Sequence, residues 1–470
     1  MDMPAAARPS TATSWARATF IVLAMAALLM LPAFWNGYPL LYYDTMDYVV
    51  MPFTWRMPVY RTGGYGVFAA IGREGGTLWA VIAAQCLIVS YVLYEARRIF
   101  VPALRGLGAT LLFAGILLLT AAPWVSSEVM PDVFTTPAVL LTLMLIQREV
   151  PLGHTRTWLF VALLGIAIAA HPTHLAIVGG LAVCAVAIDW LARRGWPLVR
   201  LRVRWLCAAL ALGIFLSGTA NWLMTDKVAL GPRTTSLLML AVSFQDGLAQ
   251  RYLAETCGKD DERQSILCPY RELMPRTSVD WLWHNDYFWK LGGWEPLMAE
   301  SANDVSAIFK RHPVDFVLAA ASLMAEQLVT LQSGEDFEHM QTFISAEIKK
   351  YYPNENDAFL TARQQQVPER TRPLRAMNYV LVPVMLGSVL ALACLAFWAG
   401  RRDRTVATMA ALVFLAYIGN AFICGAVSNP ADRYGNRIAW GCAAVFFACL
   451  VRLRETQSTA GARGTPSAAG

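Results

Sequence analysis

Two aspartates, Asp44 and Asp47, lie three residues apart in "PLLYYDTMDYVV", directly after the first apolar segment of the chain. Residues three or four apart share one face of a helix, so a helical turn would present both carboxylates beside Tyr48. A carboxylate at the edge of a bilayer is poorly hydrated, which raises its pKa and its basicity. Such a group can remove a proton from an acceptor hydroxyl. The alternative is a pair of solvated aspartates that cap a helix.

Other acids and histidines show short spacings further along the chain. Glu128 and Asp132 flank "VMP" four residues apart, and Asp132 follows Pro131, a position that also suits a helix cap. His171 and His174 in "HPTHL" are the only closely spaced histidines, and they can bind an anion, a metal or a hydroxyl. Histidines hydrogen-bonded at a helix break are the alternative.

Arginines accompany these groups near both ends of the chain. Arg61 follows the aspartates, and Arg433 and Arg437 lie in "SNPADRYGNRIAW". The planar guanidinium fork suits a lipid phosphate, although arginines also serve as ordinary anchors at a membrane interface. The four carboxylates named so far leave a divalent metal open as a cofactor. No other cofactor is indicated.

The elements that must position these residues are membrane spans. The 470-residue chain is 56% hydrophobic and 15% charged, against about 45–50% and 25% in soluble domains. Its net charge of +6 needs no nucleic-acid partner, because the excess lies in loops between apolar runs. Arg8 and Arg17 precede the first run as in a signal peptide, but no small-residue cleavage site follows, which indicates an uncleaved first span.

We predict an all-α polytopic membrane protein with about ten transmembrane helices. The predicted spans are residues 18–36, 77–95, 105–122, 132–148, 157–171, 174–192, 205–224, 376–399, 406–425 and 435–452. Alternate loops are basic, as in "EARRIFVPALR" and "GRRDR", and basic loops stay in the cytoplasm. Both termini are therefore predicted to be cytoplasmic, with loops 37–76, 122–131, 171–174, 225–375 and 425–434 on the outer face.

This topology divides the chain into five parts. They are a cytoplasmic N-terminus (1–17), an N-terminal transmembrane module (18–224), an extracytoplasmic subdomain (225–375), a C-terminal transmembrane module (376–452) and a disordered cytoplasmic tail (453–470). Within the subdomain, 311–333 is apolar and predicts an interfacial or loop-buried helix. An additional span there would place "GRRDR" outside, so we reject it.

The outer subdomain is predicted to be mostly helical and is dense in aromatics at "SVDWLWHNDYFWKLGGWEPL". Cys257 and Cys268 lie together in it, whereas the other seven cysteines lie in apolar segments. On an oxidising face such a pair can form a disulfide, and two free thiols are the alternative.

The pattern resembles the C-type glycosyltransferase superfamily, polytopic enzymes that use polyprenyl-phosphate-linked sugars. The resemblance rests on acids near an aromatic in the first outer loop ("YYDTMDYV"), a second acidic site before the fourth span ("SEVMPDVF") and a large outer loop after the seventh. Bacterial relatives of the protein O-mannosyltransferase and aminoarabinose-transferase type look like this. In mannosyltransferases the first acid is followed by Glu, and here Thr45 follows Asp44.

The stretches "NGYPLLYYDTMDYV", "RTGGYGVF", "HPTHL" and "NPADRYGNRIAW" are also similar to a group of uncharacterised bacterial membrane proteins of this architecture. The resemblance implies a bacterial inner-membrane enzyme that moves a sugar to a lipid, glycan or protein acceptor on the periplasmic face. Asp44 or Asp47 would be the catalytic base. Arg433, with Arg61 or Arg437, would hold the donor phosphate.

Ten residues form the predicted site: Asp44 and Asp47 for catalysis, and Tyr48, Arg61, Glu128, Asp132, His171, His174, Arg433 and Arg437 for substrate binding. Two other functions remain open. A transporter or flippase of lipid-linked sugars would need ionisable groups in the middle of its spans, which are almost uncharged here. A non-catalytic membrane protein of the same fold would keep the architecture without the reaction.

Overall fold

The computed structural model describes residues 11–102, 104, 106–148, 151–260, 263–283, 287–334, 340–366 and 372–463. Over these residues the chain is helical and contains no β-strand, only an isolated bridge between Leu40 and Glu128. Six helical segments are long and apolar enough to cross a membrane: Leu78–Phe100, Pro172–Arg193, Arg204–Thr225, Ala376–Trp398, Arg404–Ala426 and Asp432–Glu455. The chain is therefore a multi-pass helical membrane protein, as its composition predicts.

Twelve α-helices precede the outer loop in the described part of the chain. They are α1 (Thr11–Leu29), α2 (Leu31–Asn36), α3 (Thr45–Val49), α4 (Met51–Thr54), α5 (Gly63–Gly75), α6 (Leu78–Phe100), α7 (Leu107–Leu118), α8 (Ala122–Ser127), α9 (Thr135–Ile146), α10 (His154–Ala170), α11 (Pro172–Arg193) and α12 (Arg204–Thr225). A 3₁₀ turn, Pro131–Phe134, leads into α9.

The outer loop carries α13 (Thr235–Phe244), α14 (Leu248–Thr256), α15 (Ser278–Trp283), α16 (Tyr287–Lys290), α17 (Trp294–Arg311), α18 (Pro313–Gln327), α19 (Gln341–Tyr351) and α20 (Asn356–Thr361). The C-terminal module consists of α21 (Arg372–Trp398), α22 (Arg404–Ala421) and α23 (Asp432–Arg463). The π-helical turn Phe422–Ala426 extends α22.

Four further apolar helical segments are shorter than the six candidate spans: Trp15–Leu29, Leu107–Leu118, Pro131–Ile146 and His154–Ala170. Each coincides with one of the remaining predicted spans. Residue type explains the bounds of several helices. Thr77 begins α6 by accepting a hydrogen bond from the backbone N–H of Trp79, and Asp403 begins α22 by accepting from those of Thr405 and Val406.

The large outer loop divides into two parts with different packing partners. Helices α13–α18 enclose their own apolar core, in which Trp281 stacks on Phe244 with ring centroids 4.2 Å apart. Ile348 of α19 and Phe359 of α20 instead belong to the core of the transmembrane helices. We call residues 235–327 the outer subdomain, and it covers only part of the predicted 225–375.

The segment after α19 fixes the first loop in place. Glu355 accepts hydrogen bonds from the Tyr38 hydroxyl (2.8 Å) and the Leu78 N–H (3.0 Å). The side-chain amide of Gln364 pairs with both the N–H (3.1 Å) and the carbonyl oxygen (2.6 Å) of Leu41. These bonds connect the backbone just before Asp44 to the outer loop.

The large outer loop also contacts the C-terminal module at two glycines, through α18 and the residues just after it. A Cβ at Gly425, in the π-helical turn, would lie 2.5 Å from the carbonyl oxygen of Leu323 in α18. A Cβ at Gly435 would collide with the carbonyl oxygen of Thr330. Helix α18 therefore lies directly on the backbone of the π-helical turn, which only residues without a side chain permit.

The structure bears on two sequence predictions, the apolar segment 311–333 and the C-terminal tail. Helix α18 has 15 residues and packs Phe316 and Leu323 into the core of the outer subdomain, so 311–333 forms the loop-buried helix that we predict. The disordered tail is wrong in its first part, because α23 continues through Glu455 to Arg463. Its polar residues extend a long helix that the preceding span has already nucleated. Residues 464–470 lie outside the described part of the chain.

The sulfurs of Cys257 and Cys268 lie at bonding distance in the outer subdomain, which confirms the predicted pair. The two cysteines are separated by 11 positions, so the bridge closes a short loop after α14.

The "TGGYG" sequence at the start of α5 reflects close packing of backbones. A Cβ at Gly64 would collide with the carbonyl oxygen of Ala169 at the end of α10. We expect Gly64→Ala to destabilise the protein by about 1–3 kcal/mol, since a backbone atom cannot rotate away. A lowered midpoint of thermal unfolding in detergent would show this.

Gly108→Ala is the matched control, because Gly108 is a helical glycine with open space around its Cβ position. Alanine there should leave the midpoint unchanged or raise it. Equal midpoints for the two variants would contradict the proposed close packing at Gly64.

Candidate active site

A cavity of about 520 Å³ opens where the first loop, the outer subdomain and α23 meet. Its volume falls within the about 300–1,000 Å³ typical of ligand pockets. Its wall is part charged and part aromatic. The residues lining it include Asp44, Asp47, Tyr48, Tyr60, Arg61, His171, Thr173, Thr234, Thr235, Trp283, Trp289, Trp294, Ile423, Cys424, Val427, Asn429, Arg433 and Tyr434.

Asp44 lies between two arginines that come from opposite ends of the chain. Its Oδ1 pairs with Arg61, and its Oδ2 lies 2.8 Å from Nη1 of Arg433. Asp44 is the residue before α3, but its side chain makes no capping hydrogen bond. It is 8% exposed, so its charge is compensated by arginines rather than by water.

Arg433 is fixed between aromatic rings. Its guanidinium carbon lies 4.2 Å from the ring centroid of Tyr42 and 4.8 Å from that of Tyr434, and Nη2 donates to the Tyr434 hydroxyl at 3.0 Å. Its Nε has no hydrogen-bond partner, although the residue is buried. A buried donor without a partner is costly unless a ligand satisfies it.

Asp47 is the second carboxylate on the same wall. Its Oδ2 accepts from Nε of Arg61 at 2.9 Å, and the Tyr60 hydroxyl lies 3.4 Å from its Oδ1. Arg61 therefore bridges both aspartates, which lie one turn apart at the start of α3, as their spacing predicts. Tyr48 packs edge-on against Tyr65 beneath this bridge.

The two carboxylates differ in acidity. Burial raises the pKa of Asp44, but the guanidiniums of Arg433 and Arg61 outweigh burial and hold that pKa below its usual range. Burial also raises the pKa of Asp47, and Arg61 offsets this only in part, so that pKa stays above its usual value. Burial and the Asp47 charge raise the pKa of Tyr60 to about 12. Asp47 is therefore the stronger base of the pair.

His171 borders the cavity at the start of α11. Its Nδ1 lies 2.7 Å from the Thr173 hydroxyl and accepts from the Thr173 N–H, so the imidazole caps the helix. Burial, followed by the nearby Arg437 charge, holds the pKa of His171 well below its usual value. His171 is therefore a neutral hydrogen-bonding group at pH 7.

Directly behind the cavity lies a second ion pair that no solvent reaches. Nη1 of Arg437 donates to Asp132 at 2.9 Å, and its Nε and Nη2 donate to Oδ1 of Asn420 at 3.0 and 2.9 Å. Nη2 also lies 3.1 Å from the Thr173 hydroxyl and 2.9 Å from Sγ of Cys424. This network joins the 3₁₀ turn before α9 to α11, α22, the π-helical turn and α23 beneath the charged wall.

Four predicted residues do not line the cavity: Glu128, Asp132, His174 and Arg437. His174 is fully buried, with Nε2 2.8 Å from the Thr135 hydroxyl and Nδ1 2.7 Å from the carbonyl oxygen of Ala167. Both ring nitrogens are thus used, as in the alternative of a histidine at a helix break. Arg437 lies in the buried network.

Glu128 lies beside the site but not in the lining of the large cavity. Its backbone pairs with Leu40, and it lines a small second hollow with Tyr42, Trp124 and Gln364. The extended backbone between α8 and the 3₁₀ turn directs Glu128 and Asp132 to different places, so helical spacing does not apply to them.

Several groups at the site were not predicted from sequence. Tyr42 and Tyr434 stack on Arg433, Asn420 binds Arg437, and the wall contributed by the outer subdomain contains three tryptophans. The dense aromatics of "WLWHNDYFWKLGGW" were the only available signal. Within the described residues, no group of three or more His, Cys, Asp or Glu side chains could hold a metal ion.

No protein-family model, curated protein or solved structure matches this chain.

The Arg437–Asp132 pair gives a stability prediction. Asp132→Asn would leave the Arg437 charge buried without a counter-ion, which costs about 3–5 kcal/mol. We expect a large fall in the midpoint of thermal unfolding in detergent.

Glu295→Gln is the control, because it removes an exposed ion pair with Arg233 that is worth less than about 1 kcal/mol. A fall no larger for Asp132→Asn than for Glu295→Gln would contradict the role assigned to the buried pair.

Proposed function

We propose that the protein is a membrane glycosyltransferase of the C-type superfamily. It would transfer a sugar from a polyprenyl-phosphate donor to an acceptor hydroxyl, with inversion at the anomeric carbon. The observation that carries the proposal is the cavity wall formed by Asp44, Asp47, Arg61 and Arg433. Two carboxylates of unequal acidity and a buried arginine with an unused Nε donor line this one cavity.

The proposal includes the full topology of ten spans. The four shorter apolar helices would cross the membrane together with the six longer ones. The basic loops would lie in the cytoplasm with both termini, because positive loops are retained there. The cavity would then open on the extracytoplasmic face of a bacterial inner membrane, where the disulfide of the outer subdomain is stable.

Arg433 would bind the donor phosphate. Its guanidinium plane is held by two tyrosine rings and its Nε is free of protein partners, so a phosphate oxygen can accept from it without displacing Asp44. The polyprenyl tail would leave the cavity past Ile423 and Val427 of the π-helical region towards lipid. Such turns occur frequently at functional sites.

Asp47 would act as the base. It accepts the proton of the acceptor hydroxyl as that oxygen attacks the anomeric carbon. The bond from this carbon to the phosphate oxygen breaks, and its electron pair stays on the departing polyprenyl phosphate. Arg433 and Arg61 stabilise the charge on the leaving phosphate. Asp44 holds both arginines in position.

Two other functions fit fewer observations. A transporter of lipid-linked sugars would move the donor across the membrane without breaking its glycosidic bond, and a non-catalytic protein would leave the donor unchanged. In both cases the unequal acidity of Asp44 and Asp47 would serve no purpose. Release of polyprenyl phosphate distinguishes the three functions.

The first test uses the full-length protein in nanodiscs with a panel of polyprenyl-phosphate sugars and bacterial membrane extract as acceptor. We expect release of polyprenyl phosphate with one donor. Asp47→Asn should reduce it by about 10²–10⁴-fold, the usual contribution of a general base. Asp44→Asn should abolish it because both arginines lose their shared counter-ion. Near-normal activity of either variant would remove that residue from the mechanism.

Donor binding is measured separately by native mass spectrometry with undecaprenyl phosphate. Arg433→Ala should lose the bound lipid, whereas Asp47→Asn should keep it. Retention of the lipid by Arg433→Ala would contradict the assignment of the phosphate site.

The pH dependence follows from Asp47. Its raised pKa means that the reactive carboxylate is lost as pH falls, at a higher pH than for an ordinary aspartate near 3.9. The hydrogen bond from Tyr60 lowers this pKa, so Tyr60→Phe should move the acid limb of kcat/KM to higher pH. An acid limb that does not move, or moves to lower pH, would exclude Asp47 as the titrating base.

A further inference from the structure

The outer subdomain presents two tryptophans to the cavity that nothing in the donor site uses. Trp283 ends α15 and is 55% exposed, and Trp289 in α16 is 72% exposed. Both line the charged cavity. An indole buries 150–250 Å² when a ligand or the protein covers it, so leaving two of them open beside a cavity is unfavourable unless something binds there.

A tight turn holds Trp289 in place. Gly292 and Gly293 have positive φ angles of 91° and 76°, and their N–H groups donate to the carbonyl oxygens of Trp289 and Phe288. Residues with side chains rarely adopt this conformation, so "GG" in "KLGGW" serves the turn. A Cβ at Gly293 would lie 3.2 Å from the Trp289 ring, which shows that the ring packs against the turn itself.

The aromatic wall is connected to the proposed base. The Trp294 ring lies on that of Tyr60 with centroids 4.8 Å apart, and the Tyr60 hydroxyl faces Asp47. The contacts therefore run from Arg433 through Asp44, Arg61, Asp47 and Tyr60 to Trp294, and Trp283 and Trp289 line the same cavity. The donor sugar is one bond from its phosphate and must stay near Arg433. The opposite end, beside Asp47, is where the acceptor hydroxyl must lie.

We propose that Trp283 and Trp289 form a subsite for a pyranose ring of the acceptor, which makes the acceptor a glycan. The C–H face of a pyranose packs on an indole, while its hydroxyls need polar partners. Thr234, Thr235 and Asn429 line the same cavity and supply them. The assignment to the acceptor rests on the proposed glycosyltransferase function, whereas binding of the sugar ring does not.

Anchoring at the membrane interface is the competing role for exposed tryptophans. Trp222 near the end of α12 matches that role, since it is 50% exposed and does not line the cavity. Trp283 and Trp289 differ from it because they line the same cavity as charged and hydroxyl-bearing residues. Trp222→Ala is therefore the matched control.

The test is saturation-transfer NMR on the full-length protein in nanodiscs, which avoids sugar-based detergents. The probes are the methyl glycosides of α-mannose, β-glucose and β-galactose, with N-acetyl-phenylalanine amide as an aromatic peptide probe. We expect at least one glycoside to receive saturation at its ring C–H protons. Trp283→Ala/Trp289→Ala should weaken its binding about tenfold, the lower end of the loss seen when the aromatic partner of a stacked nucleobase is replaced by alanine. Trp222→Ala should not change binding, and Trp289→Phe should keep part of it.

The inference is overturned if no glycoside receives saturation, if only the phenylalanine probe does, or if the double alanine variant binds like Trp222→Ala. Asp47→Asn separates this inference from the proposed function, because it should keep glycoside binding while losing transfer. If Asp47→Asn transfers sugar normally and the double variant loses glycoside binding, the proposed mechanism is contradicted but the proposed sugar subsite is supported. With an active enzyme, the double variant should raise KM for a glycan acceptor and leave kcat unchanged.

Discussion

The arrangement of the site depends on the neutralisation of a buried carboxylate, Asp44, at the end of an apolar helical bundle. Asp44 is buried where water cannot stabilise a carboxylate, and it remains ionised because Arg61 and Arg433 share its charge. Arg61 comes from the first loop and Arg433 from the last helix. The requirement for compensation thus connects both ends of the chain through one side chain, and the cavity exists where they meet.

Beneath this wall a second buried carboxylate, Asp132, is also neutralised by an arginine. Arg437 and Asp132 form a fully buried pair, and Asn420, Thr173 and Cys424 surround the remaining guanidinium N–H groups. A buried network of this kind is stable only when each member has partners, which makes its geometry rigid. The network beneath the cavity is therefore rigid. It fixes the position of α23, which carries Arg433 one turn before Arg437.

The sequence predicts the class of fold and much of the charged wall. Composition indicates the membrane protein, and the spacing of Asp44 and Asp47 places them on one side of α3 because a helical turn forms there. The position of Glu128 could not be predicted from helical spacing, because its backbone is extended. The position of Trp289 could not be predicted either, because its ring packs against the turn at Gly292 and Gly293. A π-helical turn has no distinctive residue pattern, so Cys424 could not be placed beside Arg437 beforehand.

The pairing of distant residues bears on how the protein is made. Asp132 is synthesised 305 positions before Arg437. Until then the nascent chain carries an acid with no cation to match it, and Asp44 has only Arg61. Before α23 is made, the packing of the other helices around Asp44 and Asp132 is therefore opposed by incompletely compensated negative charge. Synthesis of α23 supplies Arg433 and Arg437, and both carboxylates then have their full set of cationic partners.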